Sequence, residues 1–219
     1  TGIGDAVNLA WKVAAVVHGK APAALLDTYE TERIAFARRL VATTDQAFVA
    51  VTSPSAVART VRLRIAPVVI PMLFAFRTAR RLLFRTVSQI AVSYRDSSLS
   101  EGCAGRIHGG DRLPWVRRES DDNFAPLASL DWQVHVYGRA APDLQALCTE
   151  RRLPLHVFPW RQEFTRTGLL CNAVYLVRPD GYVALAEPGG SARAVGAYLA
   201  ARTLTPPRDN EYGRGTSRP

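Results

Sequence analysis

Between residues 132 and 202 the apolar spacing alternates between every second position and every third or fourth. That alternation restricts the fold more than any other feature of the chain. Residues 132–137 alternate as a strand, with Val134 and Val136 on one face and Gly138 ending it. Residues 141–152 read as a helix that buries Leu144, Leu147 and Cys148, and residues 155–158 as a short strand. Strand, helix and strand at this spacing predict a right-handed parallel crossover. Residues 173–178 and 182–186 are two apolar runs joined by Pro179-Asp180-Gly181. Asp-Gly between such runs predicts a hairpin, with Asp180 as a turn residue. A helix over 191–202 follows, so the class is α/β.

Upstream the spacing is helical. Residues 5–17 form a helix with Val7, Ala10, Trp11, Ala14 and Val17 on its apolar face. Gly19 stops it and Pro22 starts another, over 23–32, that runs on to about residue 51. Ser53-Pro54-Ser55 is a break in which either serine can cap the helix that follows. Pro67 and Pro71 predict a kinked or looped passage. Residues 73–92 predict an amphipathic helix with Leu83, Val87, Ile90 and Tyr94 on one side. From residue 95 periodicity is lost among Gly102, Gly105, Gly109, Gly110 and Pro114. Four segments follow: helical 1–94, a linker and domain entry over 95–130, a small α/β domain over 131–203, and a disordered tail over 204–219.

The net charge of +9 is local. Between Gln46 and Arg95 there is no Asp or Glu, against Arg59, Arg62, Arg64, Arg77, Arg80, Arg81, Arg85 and Arg95. A basic stretch of this kind can attract nucleic acid or anionic lipid. Without a motif or interleaved exposed aromatics, it reads instead as a solvated face or one complementary to an acidic surface. No apolar run reaches the roughly 18 residues of a membrane span. The three cysteines and four histidines show neither a disulfide framework nor metal-ligand spacing, which suits a reducing cytoplasm. Cys148 has no partner cysteine nearby and is expected to be buried and inert. His135 and His156 read as packed strand residues rather than bases.

Residues 1–12, Thr-Gly-Ile-Gly-Asp-Ala-Val-Asn-Leu-Ala-Trp-Lys, read as a glycine-bearing turn running into a helix. Such helix starts receive electron-rich ligand groups on their free N–H groups. Asp5 and Asn8 are expected to stabilise the helix start. Gly2-x-x-Asp5-Ala6-x-Asn8-Leu9-Ala10-Trp11-Lys12, with Leu25-Leu26-Asp27-Thr28-Tyr29-Glu30-x-Glu32-Arg33, resembles the FAD-dependent aromatic hydroxylases, the single-component flavoprotein monooxygenases. Gly110-Asp111-Arg112-Leu113-Pro114 is similar to the element that opens their C-terminal domain, and residues 176–184 resemble that domain. Its strand and helix order is the thioredoxin-like one, without a redox dithiol in this sequence.

The resemblance implies the C-terminal portion of such an enzyme: a helical end of an FAD-binding domain, then a redox-inactive thioredoxin-like domain. It implies FAD as cofactor, held mostly by residues outside this chain, with NADPH or NADH as co-substrate and an aromatic small molecule as substrate. Thr1 and Gly2 are the residues placed near the flavin, and no residue is assigned a catalytic role. The fragment itself is expected to be inactive. A homodimer is compatible with this reading, and nucleic-acid and membrane partners are not part of it. Two alternatives remain open. One is a non-enzymatic binding protein built from a basic helical segment and a thioredoxin-like domain. The other is a flavin oxidoreductase that does not hydroxylate.

Overall fold

A computed structural model describes residues 2–80, 92–116 and 122–204, apart from the side chains of residues 35, 39, 40, 47 and 50. Thr1, the expected Leu83, Val87 and Ile90 stripe, and residues 205–219 of the expected tail lie outside the described residues. Packing divides the chain into two compact units, Thr1–Thr31 with Ser93–Pro219, and Glu32–Val92. One division falls within a helix, between Thr31 and Glu32, and the other between Val92 and Ser93.

The first unit is built on a six-stranded mixed sheet. Its strands are β1 (Glu101–Ala104), β2 (Ile107–His108), β3 (Gln133–Tyr137), β4 (Leu155–Phe158), β5 (Val174–Val177) and β6 (Val183–Glu187), in the order β2-β1-β6-β5-β3-β4. The expected crossover is present: β3 pairs parallel with β4 across α5 (Pro142–Arg151). The expected hairpin is present as antiparallel β5 and β6, with Gly181 at φ 78° in its turn. The closing helix α7 (Ala192–Ala201) is capped by Ser191, whose hydroxyl accepts from the Ala194 amide at 3.3 Å.

Alternation along the strands fills two cores. Val134, Val136, Val174 and Leu176 point toward Leu144 and Cys148 of α5 and Val195, Tyr198 and Leu199 of α7. Tyr137, Tyr175 and Val177 face Phe158, Phe164, Ala104, Ile107 and Leu113 on the other side. Phe164 comes from a short helix, α6 (Glu163–Thr167).

The stretch expected to be a linker contributes β1 and β2. Gly110 donates its amide to the Val183 carbonyl at 2.6 Å and accepts from Tyr94 at 2.8 Å, and Leu113 donates to Gly181 at 3.0 Å. Gly110 sits at φ 88°, where an added Cβ would lie 2.4 Å from the Tyr94 backbone, so only glycine fits that crossing. The strands went unseen because they span four and two residues and bury only Ala104 and Ile107. That is too short for an alternating signature. Leu204, expected in the tail, is buried in the core that also holds Tyr198.

Two further elements of this unit precede the sheet. Helix α1 (Gly2–Val17) begins ahead of the expected position, so Gly2 and Gly4 lie in its first turn rather than in a preceding loop. A 3-10 turn (Ala23–Leu25) leads to α2 (Asp27–Thr52).

The second unit continues α2 and adds α3 (Ala56–Thr60), a π turn (Val61–Ile65) and α4 (Ala66–Ala75). Ser55 caps α3 by accepting from the Ala58 amide at 3.1 Å. Neither proline opens a loop. Pro67 falls in the first turn of α4, where its missing N–H costs nothing, and Pro71 is carried inside the helix. Arg59, Arg64, Arg77 and Arg80 are exposed, as are Val57, Leu63, Val68 and Met72. Among the described residues, no helix is long and apolar enough to cross a membrane.

Candidate functional site

Helix α1 is the element to which the sequence assigned a ligand. Gly2 is exposed, with nothing within 4 Å of where its Cβ would stand, and Ile3 is 83% exposed. The first-turn N–H groups have no acceptors within the helix, and Gly2 puts no side chain over them. Thr1, the other residue expected near the flavin, lies outside the described residues.

What holds α1 differs from the expectation. Val7, Ala10, Ala14 and Val17 are not buried, and the buried residues are Asn8, Trp11 and Lys12. Asn8, expected to stabilise the helix start, binds a distant partner. Its amide nitrogen donates to Asp180 Oδ2 at 3.2 Å, and the Trp11 indole N–H donates to the same oxygen at 3.1 Å. Lys12 Nζ donates to Asn8 Oδ1 at 3.0 Å. Asp180, read from sequence as a turn residue, sits on the β5–β6 hairpin and is also gripped by Arg178. Arg178 Nη2 donates to Oδ2 at 2.6 Å and Nε donates to Oδ1 at 3.0 Å.

The cluster is closed by aromatic rings. The Arg178 guanidinium lies 5.1 Å from the Trp11 ring centroid, 5.5 Å from Tyr94 and 5.8 Å from Tyr182. Trp11 meets Trp132 edge-on at 5.7 Å. Arg178 and Lys12 are fully buried, and the Asp180 side chain is 2% exposed. Buried charges are tolerated only when paired and hydrogen-bonded, and a planar guanidinium gripping a carboxylate with two donors suits that need. Sequence spacing could not reveal this cluster, because its members lie more than 160 positions apart. The one available signal was the unusual polarity of Asn8 and Lys12 beside Trp11 on a single helix face.

A second buried network lies under the sheet. Asn123 Nδ2 donates to the Tyr137 hydroxyl at 2.7 Å, and that hydroxyl lies 3.5 Å from His135 Nδ1. His135 Nε2 lies 2.8 Å from Gln133 Oε1, and Gln133 Nε2 donates to the Pro126 carbonyl at 3.3 Å. With Nε2 protonated every member has a partner, so the neutral histidine suits the site. Burial, and secondarily the neighbouring His156, hold His135 down to about 3. His135 is thus a packed residue, as its strand position implied, and His156 is half-buried.

Among the described residues, no group of three or more His, Cys, Asp or Glu could hold a metal. A groove of about 180 Å³ beside Val7, Arg112, Phe124 and Asp180 is smaller than the roughly 300 Å³ from which small-molecule pockets begin. That groove therefore does not enclose a small molecule of that size.

Cys148 is buried, and burial pushes its thiol up to about 11, whereas Cys103 and Cys171 are exposed. A maleimide should modify Cys103 and Cys171 of the folded chain within minutes and reach Cys148 only on unfolding. Site-resolved mass spectrometry checks this. Native labelling of Cys148 at the rate of the other two would contradict its inert, packed role.

Comparison with known proteins locates this helix. Residues 1–44 match the FAD binding domain family. Over 254 aligned positions the chain is 41% identical to 6-methylpretetramide 4-monooxygenase of Streptomyces rimosus, covering 99% of this chain and 43% of that protein. Among solved structures it resembles the anhydrotetracycline hydroxylase from Streptomyces rimosus, with 26% identity and a TM-score of 0.63, over 93% of this chain and 40% of that one. It also resembles an aromatic hydroxylase from angucycline biosynthesis, with 27% identity and a TM-score of 0.61, again over 93% and 40%. The chain thus spans less than half the length of the relatives it matches.

Proposed function

We propose that this chain, as a portion of an FAD-dependent aromatic hydroxylase, supplies one wall of a flavin site and a second domain to an intact monooxygenase. That enzyme hydroxylates a fused-ring phenolic substrate, of the kind named for the tetracycline-type relatives, using O2 and NADPH or NADH. The observation that carries this reading is α1. Residues 1–44, which match an FAD binding domain, include this helix, and Gly2 puts no side chain over its first turn.

The residues fit a flavin edge. Helix N–H groups favour an electron-rich carbonyl, and glycine lets a flat ring system come close to the backbone. Gly2 and, by sequence position, Thr1 would border it, while residues beyond this chain hold most of the cofactor. Bound flavin supplies the electron transfer and oxygen activation. This chain's share is to orient that edge and help to exclude water.

The order β4-β3-β5-β6, with β3 and β4 parallel and α5 and α7 against one face, supports reading residues 131–203 as a thioredoxin-like domain. Residues 1–94 are then the helical end of the FAD-binding domain. The three free cysteines fit a reducing cytoplasm. A homodimer is an assembly to be tested by the mass of the intact protein in solution.

The test uses full-length protein. It should purify yellow and oxidise NAD(P)H faster when a polycyclic phenol is added, with a product one oxygen heavier. A colourless protein that takes up no FAD overturns the reading. Residues 1–219 alone should bind FAD far below stoichiometry. Stoichiometric binding would mean that this chain, and not the residues beyond it, holds most of the cofactor.

A further inference from the structure

We propose that Asp180 is a positioning residue for the flavin-facing helix. Through this residue, the hairpin of the second domain sets the orientation of α1 and so the place of its first-turn amides. The proposal rests on the flavin reading above.

Three observations carry it. First, α1 is exposed along most of its length, and its buried residues are Asn8, Trp11 and Lys12. Second, both Asn8 and Trp11 donate to one atom, Asp180 Oδ2. They stand three positions apart on adjoining turns of one helix face, so a shared acceptor fixes the rotation of the helix about its axis as well as its height. Third, Asp180 is itself held on two sides by Arg178, one strand end away, in a turn closed by the Gly181 amide on the Arg178 carbonyl at 2.9 Å. The acceptor therefore belongs to the sheet and is not free to follow the helix.

Asn8 lies six residues from Gly2, about 9 Å along the helix axis. A helix is stiff over that distance, so a tilt at the anchor is carried to the open turn. Apolar packing of Trp11 on Trp132 alone would hold the helix near the sheet without fixing its rotation, because hydrophobic contact is not directional. The arrangement explains why a turn in the C-terminal domain carries a buried carboxylate with donors from a helix so far away in sequence.

The experiment compares full-length wild type with Asp180→Asn and Trp11→Phe, each freed of FAD and titrated with it by flavin fluorescence. Leu144→Ala is the control, since it weakens the apolar cluster that Trp11 shares but takes no part in the hydrogen bonds to Asp180. Both anchor variants should bind FAD about tenfold more weakly, the loss expected for hydrogen bonds to a charged group. They should also shift the visible flavin band and the two-electron potential of the bound cofactor. Leu144→Ala should lower the melting temperature while leaving affinity, band and potential unchanged. If wild type binds FAD and the anchor variants match it in affinity and spectrum, Asp180 is a structural residue only and the inference fails while the flavin reading stands. If the wild type itself takes up no FAD, both fail together.

Discussion

Replacing Arg178 with methionine should destabilise the sheet-bearing unit by about 3–5 kcal/mol, the cost of leaving one partner of a buried pair uncompensated. The guanidinium is fully buried, grips Asp180 with two donors at 2.6 and 3.0 Å, and packs against Trp11, Tyr94 and Tyr182. Methionine matches much of its volume and keeps the ring contacts, so the loss reports charge and hydrogen bonding rather than a cavity. Asp180 would retain Asn8 and Trp11 as donors, but no cation bonded directly to it among the pairs described above. Asp180→Leu alone should cost a similar amount, since it strands Arg178. The double variant Arg178→Met with Asp180→Leu should be milder than the sum of the two, because neither charge is then left buried. Urea unfolding followed by tryptophan fluorescence checks this, as Trp11 and Trp132 report on the site. Additive losses, or a single-variant loss under about 1 kcal/mol, would mean the pair is not the anchor described.

Acid should weaken the same unit through His135. In the folded protein this imidazole stays neutral down to about 3, held there by burial and then by His156, whose own value burial also lowers. Unfolded, it takes a proton near 6.5. Between those two values the unfolded state binds more protons, so stability falls as pH falls, by up to about 1.4 kcal/mol per pH unit. Above pH 6.5 this contribution is flat. Carboxylates also contribute to acid unfolding, so the measurement is the difference between wild type and His135→Gln across pH 4 to 8. Glutamine can keep a link to Gln133 while removing the titration. The stability gap should close, or reverse, as pH drops below 6.5. A gap that is constant with pH would show that His135 does not resist protonation in the fold.

How much could be read from the chain differs by region. The crossover from β3 to β4 and the β5–β6 hairpin were legible because burial on one or both faces writes a period into neighbouring residues, and Asp180-Gly181 marks the turn. The caps at Ser55 and Ser191 are likewise local. Strands β1 and β2 were not legible, since four and two residues that bury only Ala104 and Ile107 are too short to carry a period. The buried face of α1 was misread for a related reason. An apolar stripe of Val7, Ala10, Ala14 and Val17 implied a core face, yet the core receives Asn8 and Lys12 beside Trp11. Polar residues can be buried when distant partners satisfy them, and no spacing within one helix records those partners.

By itself the sequence determined the order and kind of most elements of the sheet domain, the resemblance to flavin hydroxylases at residues 1–12, and the burial of Cys148. Each depends on neighbours within a turn or two, or on residue types at short spacing. Only the tertiary structure showed that Asp180, within its turn, also accepts from Asn8 and Trp11, and that the buried face of α1 carries Asn8 and Lys12 beside Trp11. It also placed residues 101–104 and 107–108, within the stretch read as linker and domain entry, in the sheet. The physical reason is common to these three. A hydrogen bond to a carboxylate or a backbone amide is specified by where two groups meet in space, and Asn8 and Asp180 stand 172 positions apart in the chain.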